Sequence, residues 1–279
     1  MTRPAWYPSW QDQTVVIVAS GPSAALQPLD LGIGRAKFVA INRSILLAPW
    51  SSIWYCCDFQ WWDKYFGDKK FRLDLGEYPR ALKVSVDYRV RERPKWGVKF
   101  LFCEKPNDTI VWEQGKVGWG GNSGFNALNM VAQFKPAKII LIGFDMSRAS
   151  GTHWHDPHPA DRVRGLSNPT NHSVERWRRV MENAAREFVD HGITVINCSA
   201  MSALQKYRKM SFEEALEFGG APMVPVVPTQ VYVPPDPVLV AEKREMAEAV
   251  VKGVLAKTGN RPVPEKAVEY LVGRVASRL

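Results

Sequence analysis

Cysteine is scarce in this sequence and never occurs in the paired spacing of a zinc site. The 279 residues include four cysteines, and no Cys-x-x-Cys motif is present. Cys56, Cys57, Cys103 and Cys198 each lie within or beside an apolar run, where a small thiol is normally a buried core residue. We therefore predict that all four cysteines are structural, and we expect no metal site among them.

Long apolar runs and the common glycine-rich nucleotide motifs are also missing. The longest apolar stretch is far shorter than the ~20 residues that cross a bilayer, and no apolar signal-peptide core lies near Arg3 and Asp12. We therefore expect a cytoplasmic protein without a transmembrane segment. Neither the phosphate loop Gly-x-x-x-x-Gly-Lys-Ser/Thr nor the dinucleotide motif Gly-x-Gly-x-x-Gly is present, which argues against the two commonest nucleotide-binding loops.

The most informative stretch that is present runs from Thr14 to Ser23. Residues 15–19 are all apolar and rich in valine and isoleucine, which is typical of a strand buried on both faces of a parallel sheet. The run stops at Ser20-Gly21-Pro22-Ser23, where glycine allows a tight turn and the close approach of a ligand. Ligands of open α/β sheets bind at the carboxyl ends of strands, so this turn is a candidate nucleotide site. An ordinary strand-to-helix turn is the alternative.

Strands and helices alternate along most of the chain. After the first strand, further strands are predicted at 37–42, 52–58, 81–86, 97–102, 138–143 and 194–198, and helices at 59–71, 122–134 and 173–190. This alternation predicts an α/β fold, with a Rossmann-like, mostly parallel sheet and helices on both faces. We expect residues 1–218 to form the nucleotide-binding domain, 219–237 a proline-rich linker, and 238–279 a C-terminal helical hairpin that packs on the domain, forms a homo-oligomer or contacts a partner.

The net charge of +9 has two interpretations. It favours anionic partners such as nucleotide sugars, nucleic acid or acidic glycolipids, or it reflects a solvated surface with excess lysine and arginine. The densest basic segment runs from Arg89 to Lys95, with Lys83 before it and Lys99 after it. Trp96 lies beside this segment and can stack on a base, although most tryptophans of the chain must belong to the core.

Histidine is concentrated in one region, where four of the five lie between residues 153 and 172. His153, His155 and His158 belong to a long loop predicted from 146 to 171, at the carboxyl edge of the sheet. Ligation of a metal by these imidazoles is one interpretation, and histidines that face a substrate are the interpretation we favour. No metal site is therefore expected in this loop.

His172 lies immediately before the helix predicted at 173–190, which Asn171 or Ser173 can cap. An imidazole with the ordinary pKa near ~6.5 is suited to taking a proton from a hydroxyl group. A half-exposed histidine without a catalytic role is the alternative. Another helix start, at Asn122 and Ser123, offers free amides of the kind that favour phosphate.

Six short pieces of the chain occur in a recognisable order. They are Gly21-Pro22-Ser23, Asn42, Ser123-Gly124, Gly143-Phe144-Asp145, His172-Ser173 and the segment from Cys198 to Leu204. This order resembles that of the bacterial lipooligosaccharide sialyltransferases, which use CMP-activated sialic acid. It is also similar to a wider group of uncharacterised and pterin-pyrophosphokinase-like proteins with the same sheet. The resemblance covers about residues 14–207.

The resemblance implies a nucleotide-sugar donor, no separate cofactor, and His172 as the general base. The implied nucleotide contacts are Ser20, Gly21, Pro22, Ser23, Asn42, Arg43, Asn122, Ser123, Gly124 and Asp145. The sialyltransferases place two tyrosines after the Gly-x-Asp strand to hold the departing phosphate, and this chain has none there. Arg148, His153 or His155 can neutralise the phosphate instead.

We therefore predict a metal-independent, inverting glycosyltransferase. Its donor is expected to be a CMP-linked or other pyrimidine-linked sugar, and its acceptor a hydroxyl group of a glycan or of nucleic acid. Two alternatives stay open. One is a pyrophosphokinase-like enzyme that uses ATP and Mg²⁺, with the ion held by Asp58 and Asp145. The other is a transferase or binding protein that acts on nucleic acid.

Overall fold

The computed structural model describes residues 3–155, 168–199 and 201–220, together with the single positions 245, 246, 248, 249 and 272. The strands within these ranges are β1 (Thr14–Val18), β2 (Lys37–Ile41), β3 (Ile53–Tyr55), β4 (Leu82–Ser85), β5 (Lys99–Phe100), β6 (Phe102–Glu104), β7 (Lys116–Gly118), β8 (Lys138–Ile142), β9 (Thr194–Asn197) and β10 (Arg208–Lys209). The helices are α1 (Phe59–Gly67), α2 (Lys69–Leu75), α3 (Ser123–Ala132), α4 (Asn171–Asp190) and α5 (Phe212–Glu217).

Eight of these strands form one parallel sheet in the order β10-β9-β8-β1-β2-β3-β4-β5. Every neighbouring pair in it is parallel, including β1 with β2 and β1 with β8. The predicted α/β fold is thereby confirmed. From β1 the strand order proceeds in one direction through β2 to β5 and in the other through β8 to β10. The carboxyl ends of β1 and β8 therefore meet where the order of strands reverses, which is where open α/β sheets bind ligands.

Both faces of the sheet are covered, which explains why β1 is apolar from Val15 to Val18. Val15 and Ile17 pack on the face that α3 and α4 cover, and Val16 and Val18 pack on the face that α5 covers with Phe212. All four valine and isoleucine side chains are fully buried. Successive side chains of a strand point to opposite faces, so a strand between two helical layers favours apolar residues on both of its faces.

The predicted strand at 97–102 is divided between two sheets. Leu101 donates its N–H to Ser85 at 2.9 Å and so continues the pairing of β5, whereas Phe102 donates to Gly115 at 3.0 Å and begins a separate two-stranded sheet of β6 and β7. The chain therefore leaves the main sheet between these two residues. Apolar pattern alone predicts one strand here, because a change of partner between neighbouring residues leaves no mark on that pattern.

Two helix starts also differ from the prediction. The segment predicted as one helix, 59–71, is interrupted at Asp68, whose side chain accepts the Phe71 N–H at 3.0 Å and caps α2. The cap of α4 is Thr170, which accepts the N–H of Ser173 at 3.1 Å. Neither Asn171 nor Ser173 caps that helix as predicted, because the helix begins two residues earlier than its apolar pattern indicates.

The four cysteines are free thiols, with Cys56 and Cys198 buried and Cys57 and Cys103 half-buried. In the part of the chain that the structure describes, no helix has the length and hydropathy needed to cross a membrane. The predicted linker at 219–237 and hairpin at 238–279 lie outside the described residues, apart from positions 219 and 220 and the five single positions.

Helix α3 presents a polar edge to the strand segment beside it. Asn129 is fully buried, and its Oδ1 accepts the N–H groups of Val111 at 2.9 Å and Gly118 at 2.8 Å. Its Nδ2 donates to the Val111 carbonyl at 2.7 Å. One turn later, Gln133 donates to the carbonyls of Val111 at 2.6 Å and Lys116 at 2.5 Å. These side chains supply the partners that a neighbouring strand would supply, so they hold β7 against α3.

Replacing Asn129 with alanine is expected to lower the free energy of unfolding by about 2–3 kcal/mol, because the N–H groups of Val111 and Gly118 lose their partner and the Val111 carbonyl keeps only its bond from Gln133. Urea unfolding followed by circular dichroism measures this change. Asn183→Ala, at an exposed position of α4, is the matched control and should change stability by less than about 0.5 kcal/mol. Equal stability of the Asn129→Ala variant and the control would show that these hydrogen bonds do not hold the segment.

Candidate functional site

The residues that follow β1 and β8 form the centre of the candidate site, which we call the strand-end junction (Ser20–Ser23 and Gly143–Asp145). Ala19 donates its N–H to Ile142 at 2.8 Å, and Gly21 donates to the Gly143 carbonyl at 3.0 Å. Gly143 has a φ of 70°, a conformation that glycine adopts without strain. The two backbones therefore stay in contact for three residues beyond the last paired residue of β1.

Asp145 holds the strand-end junction together through hydrogen bonds. Its carboxylate accepts the N–H of Ser23 at 2.9 Å and also the Ser23 hydroxyl. Ser199, which follows β9, contacts the Ser23 hydroxyl at 2.8 Å and accepts the N–H of Gly143 at 3.0 Å. Burial raises the pKa of Asp145, and the hydrogen bonds from Ser23 act in the opposite direction. Asp145 was predicted to contact ribose or acceptor, and the structure shows both of its oxygens engaged by Ser23.

Asn42 follows β2 in a left-handed conformation with a φ of 53°. Its carbonyl accepts the indole N–H of Trp54 at 2.8 Å, which fixes the turn. Its side-chain Oδ1 is buried and has no hydrogen-bond partner among the described residues. Arg43 extends away from this position, with its guanidinium carbon 5.9 Å from the ring centre of Phe71 in α2. Burial lowers the pKa of Arg43, and Asp74 opposes that effect.

The N-terminus of α3 lies at the same edge of the sheet, because α3 precedes β8 and runs antiparallel to it. Asn122 caps the helix by accepting the Phe125 N–H at 2.8 Å. The Ser123 hydroxyl lies 3.0 Å from the Cys57 sulfur, at the end of β3. A Cβ on Gly124 would come within 2.9 Å of the Phe144 ring, so glycine allows the helix to approach the strand-end junction.

The loop after β8 is attached to the first turn through Trp154, which the sequence analysis did not select. The Trp154 N–H donates to the Ser20 carbonyl at 3.1 Å, and its indole donates to the Ser44 hydroxyl at 3.2 Å. The predicted residues His153 and His155 flank it, with ring centres 5.0 Å apart and nearly parallel rings. His158 lies outside the described residues.

His172 is exposed on the first turn of α4. Beside it, Asn171 accepts a hydrogen bond from the Arg148 guanidinium at 3.3 Å, so the structure brings these two predicted regions together. One turn further along the same face, Arg176 donates to the Gly120 carbonyl at 3.4 Å, in the loop before α3. Its ion pair with Asp108, at 2.8 Å, holds the guanidinium in place.

Arg176 therefore links the helix start that carries His172 to the helix start that carries Asn122. Arg176 was not among the residues predicted from sequence, although its position four residues after His172 places it on the same helix face. Its guanidinium carbon lies 4.5 Å from the ring centre of Trp119, which also faces Lys105. The two helix starts, the histidine loop and the strand-end junction thus lie at one edge of the sheet.

Asp58, which was considered as a metal ligand, follows β3 and is half-buried. Burial raises its pKa, and the neighbouring Asp87 carboxylate acts in the same direction. Lys105 and Arg89 act in the opposite direction. Within residues 3–155, 168–199 and 201–220, no group of three or more His, Cys, Asp or Glu side chains is arranged to hold a metal ion.

The fold defines an α/β protein with a Rossmann-like parallel sheet whose strand order reverses at this edge. No family model matches the sequence, and no curated protein matches it. Among solved structures, the chain is similar to one described as the MAf glycosyltransferase from Magnetospirillum magneticum AMB-1. The identity is 13% and the TM-score 0.49, over 96% of this chain and 48% of the other. The chain thus spans about half the length of that protein, and a likeness at this level assigns it neither activity nor substrate.

Replacing Gly21 with alanine is expected to destabilise the strand-end junction by about 1–3 kcal/mol, because the added methyl group would overlap its neighbours. It would lie 2.7 Å from Asp145 Oδ2 and would also overlap the Gly143 carbonyl. Thermal or urea unfolding measures the loss. Gly67→Ala, at the end of α1, is the control because a Cβ there meets no atom within 4 Å. If both variants unfold like the wild-type protein, the junction is not closely packed.

Proposed function

We propose that the chain is a glycosyltransferase that binds a nucleotide-activated sugar at the strand-end junction. The observation that carries this proposal is the meeting of β1 and β8 at the reversal of strand order, with the starts of α3 and α4 at the same edge. The edge where the strand order reverses is the usual ligand site of an open α/β sheet. Two helix N-termini add partial positive charge, which favours the phosphate of a nucleotide.

The nucleotide is expected to lie between Asn42 and the N-terminus of α3. The buried, unpartnered Oδ1 of Asn42 needs an N–H or O–H donor. The amino group of cytosine, the N3–H of uracil or a ribose hydroxyl supplies one, so Asn42 can accept a hydrogen bond from a CMP-linked or another pyrimidine-linked donor. Gly21, Pro22 and Ser23 would then pack against the nucleotide, while Asp145 holds Ser23 in place.

The proposed reaction is an inverting displacement. His172 takes the proton of the acceptor hydroxyl, whose oxygen forms a bond to the anomeric carbon as the bond from that carbon to the nucleotide phosphate breaks. Arg148, His153 and His155 stabilise the charge that appears on the departing phosphate. Arg176 acts as a positioning residue, because it holds the turn that carries His172 against the loop before α3. Each step uses groups of the protein itself, without a metal ion or other cofactor.

Nucleotide binding is tested by thermal unfolding in the presence of CMP, CDP, UDP, GDP or ATP, each with EDTA or with Mg²⁺. At about 100 times its dissociation constant, a bound nucleotide adds ~2.7 kcal/mol of stability, which is several degrees for a chain of this size. We expect CMP to stabilise the protein in EDTA. Stabilisation by ATP alone, and only with Mg²⁺, would instead support the pyrophosphokinase-like reaction. No shift with any nucleotide would remove the proposal.

The contact between Asn42 and the nucleotide is tested with the variant Asn42→Gly. Glycine suits the left-handed conformation at this position and removes only the side-chain amide. The variant should therefore fold and lose most of the stabilisation by CMP. A full shift in the variant would show that Asn42 does not contact the nucleotide.

The base is tested with His172→Ala. Because His172 is exposed on the helix surface, the variant should fold and bind CMP as the wild-type protein does. The release of CMP from a CMP-linked sugar in the presence of acceptor should fall by about 10²–10⁴-fold. His191→Ala, at the opposite end of α4, is the matched control and should retain turnover. Normal turnover in a folded His172→Ala variant would assign the base to another residue.

A further inference from the structure

The basic segment selected in the sequence exposes several cationic side chains, and we call it the basic face (residues 87–99). It follows β4 and ends at β5, the last strand of the sheet. Five of its residues are lysine or arginine and two are acidic. One acid, Asp87, is held by Arg89 through hydrogen bonds of 2.9 and 2.7 Å. The proposed glycosyl transfer does not use this surface.

The arginines of the basic face lie over aromatic rings. The guanidinium carbon of Arg89 is 4.6 Å from the ring centre of Phe59, and that of Arg91 is 5.6 Å from the ring centre of Phe100. Arg93 lies 6.0 Å from the same Phe59 ring. A guanidinium above a ring keeps its N–H groups available at its edge, and the ring limits the number of orientations it samples.

The positive charges on the outside of this surface are not neutralised. Among the described residues, Arg91, Arg93, Lys95 and Lys99 form no ion pair. The first three of these side chains are exposed. Surfaces of this kind attract an anion that carries several charges, because each guanidinium can form two parallel hydrogen bonds to a phosphate.

Most aromatic rings in and beside the basic face are covered by other side chains. Trp96 stacks on Phe66 with ring centres 5.0 Å apart, and Arg93 lies 5.9 Å from the Trp96 ring centre. Tyr88, by contrast, is 63% exposed. The surface thus offers guanidinium edges, ammonium groups and one exposed phenol ring, which is the combination that binds a phosphodiester backbone and stacks on a base.

We propose that the basic face binds nucleic acid through its phosphodiester backbone, without dependence on base sequence. The same surface begins beside the candidate site. Asp87 donates its N–H to the Ser85 hydroxyl at 3.3 Å, that hydroxyl donates to the Cys57 carbonyl at 3.2 Å, and Cys57 contacts Ser123 of α3. A polynucleotide on the basic face therefore lies next to the edge where α3 begins. The binding itself is independent of any transferase activity.

The experiment measures binding of fluorescently labelled DNA, as duplex and as single strand, by anisotropy between about 50 and 200 mM salt. Each phosphate contact contributes about −0.9 to the slope of log affinity against log salt for a duplex. The variant Arg91→Gln/Arg93→Gln/Lys95→Gln should lose at least about tenfold in affinity and reduce the size of that slope by about 2–3. Binding of either DNA form with this response supports the proposal.

The matched control carries the same change of charge on other surfaces. Lys37, Arg179 and Lys206 are exposed and lie outside the basic face, so their triple substitution by glutamine should leave affinity within about twofold. Equal losses in the two triple variants would attribute binding to net charge and overturn the proposal. So would the absence of binding by the wild-type protein at the lowest salt concentration.

Two further measurements keep the result interpretable. Arg91→Lys/Arg93→Lys retains both charges but loses the paired hydrogen bonds of the guanidinium groups, so it should lose less affinity than the glutamine variant and keep the wild-type slope of log affinity against log salt. A fall in that slope as large as that of the glutamine variant would overturn the proposal. Vesicles of phosphatidylglycerol and of phosphatidylcholine test a lipid surface. Binding to phosphatidylglycerol vesicles without binding to DNA would overturn the proposal in favour of a membrane.

Discussion

Two strands that are far apart in sequence meet at a distance that only glycine permits, and the candidate site is built on that contact. Beyond the end of β1, Gly21 donates to the Gly143 carbonyl, and a side chain on Gly21 would overlap both that carbonyl and the carboxylate of Asp145. The close contact brings Ser23 to Asp145 and to Ser199. Hydrogen bonds therefore join the ends of β1, β8 and β9, which are neighbours in the sheet, at the edge where the strand order reverses.

The elements that could be predicted from sequence are those whose environment is uniform along their length. After their first residues, Thr14 and Lys138, β1 and β8 are apolar because helices cover both faces of the sheet. β7 and β10 were not predicted, because their sequences, Lys-Val-Gly and Arg-Lys, contain no apolar run. Asn129 lies on the inner face of α3, and its hydrogen bonds to Val111 and Gly118 explain a buried amide that the apolar pattern alone does not.

The individual turns and helix starts of the candidate site could be predicted from sequence, whereas the contacts between them could not. Turns at strand ends and helix starts have local signals, so Gly21, Asn42 and Asn122 could be selected from sequence. Trp154 and Arg176 act through contacts with residues more than fifty positions away, such as Ser44 and Gly120, and no local pattern reports such contacts. Asp145 shows the same limit, because its carboxylate is engaged by a turn that lies 122 positions earlier.

The large parallel sheet ends on both sides in a strand of only two residues. β5 contains Lys99, and β10 consists of Arg208 and Lys209. A strand at the edge of a sheet can pair with a strand of another molecule. Short edge strands with charged side chains oppose such pairing. The basic residues at the two edges therefore have a consequence that is separate from any ligand: they oppose the lateral growth of the sheet into aggregates at high protein concentration.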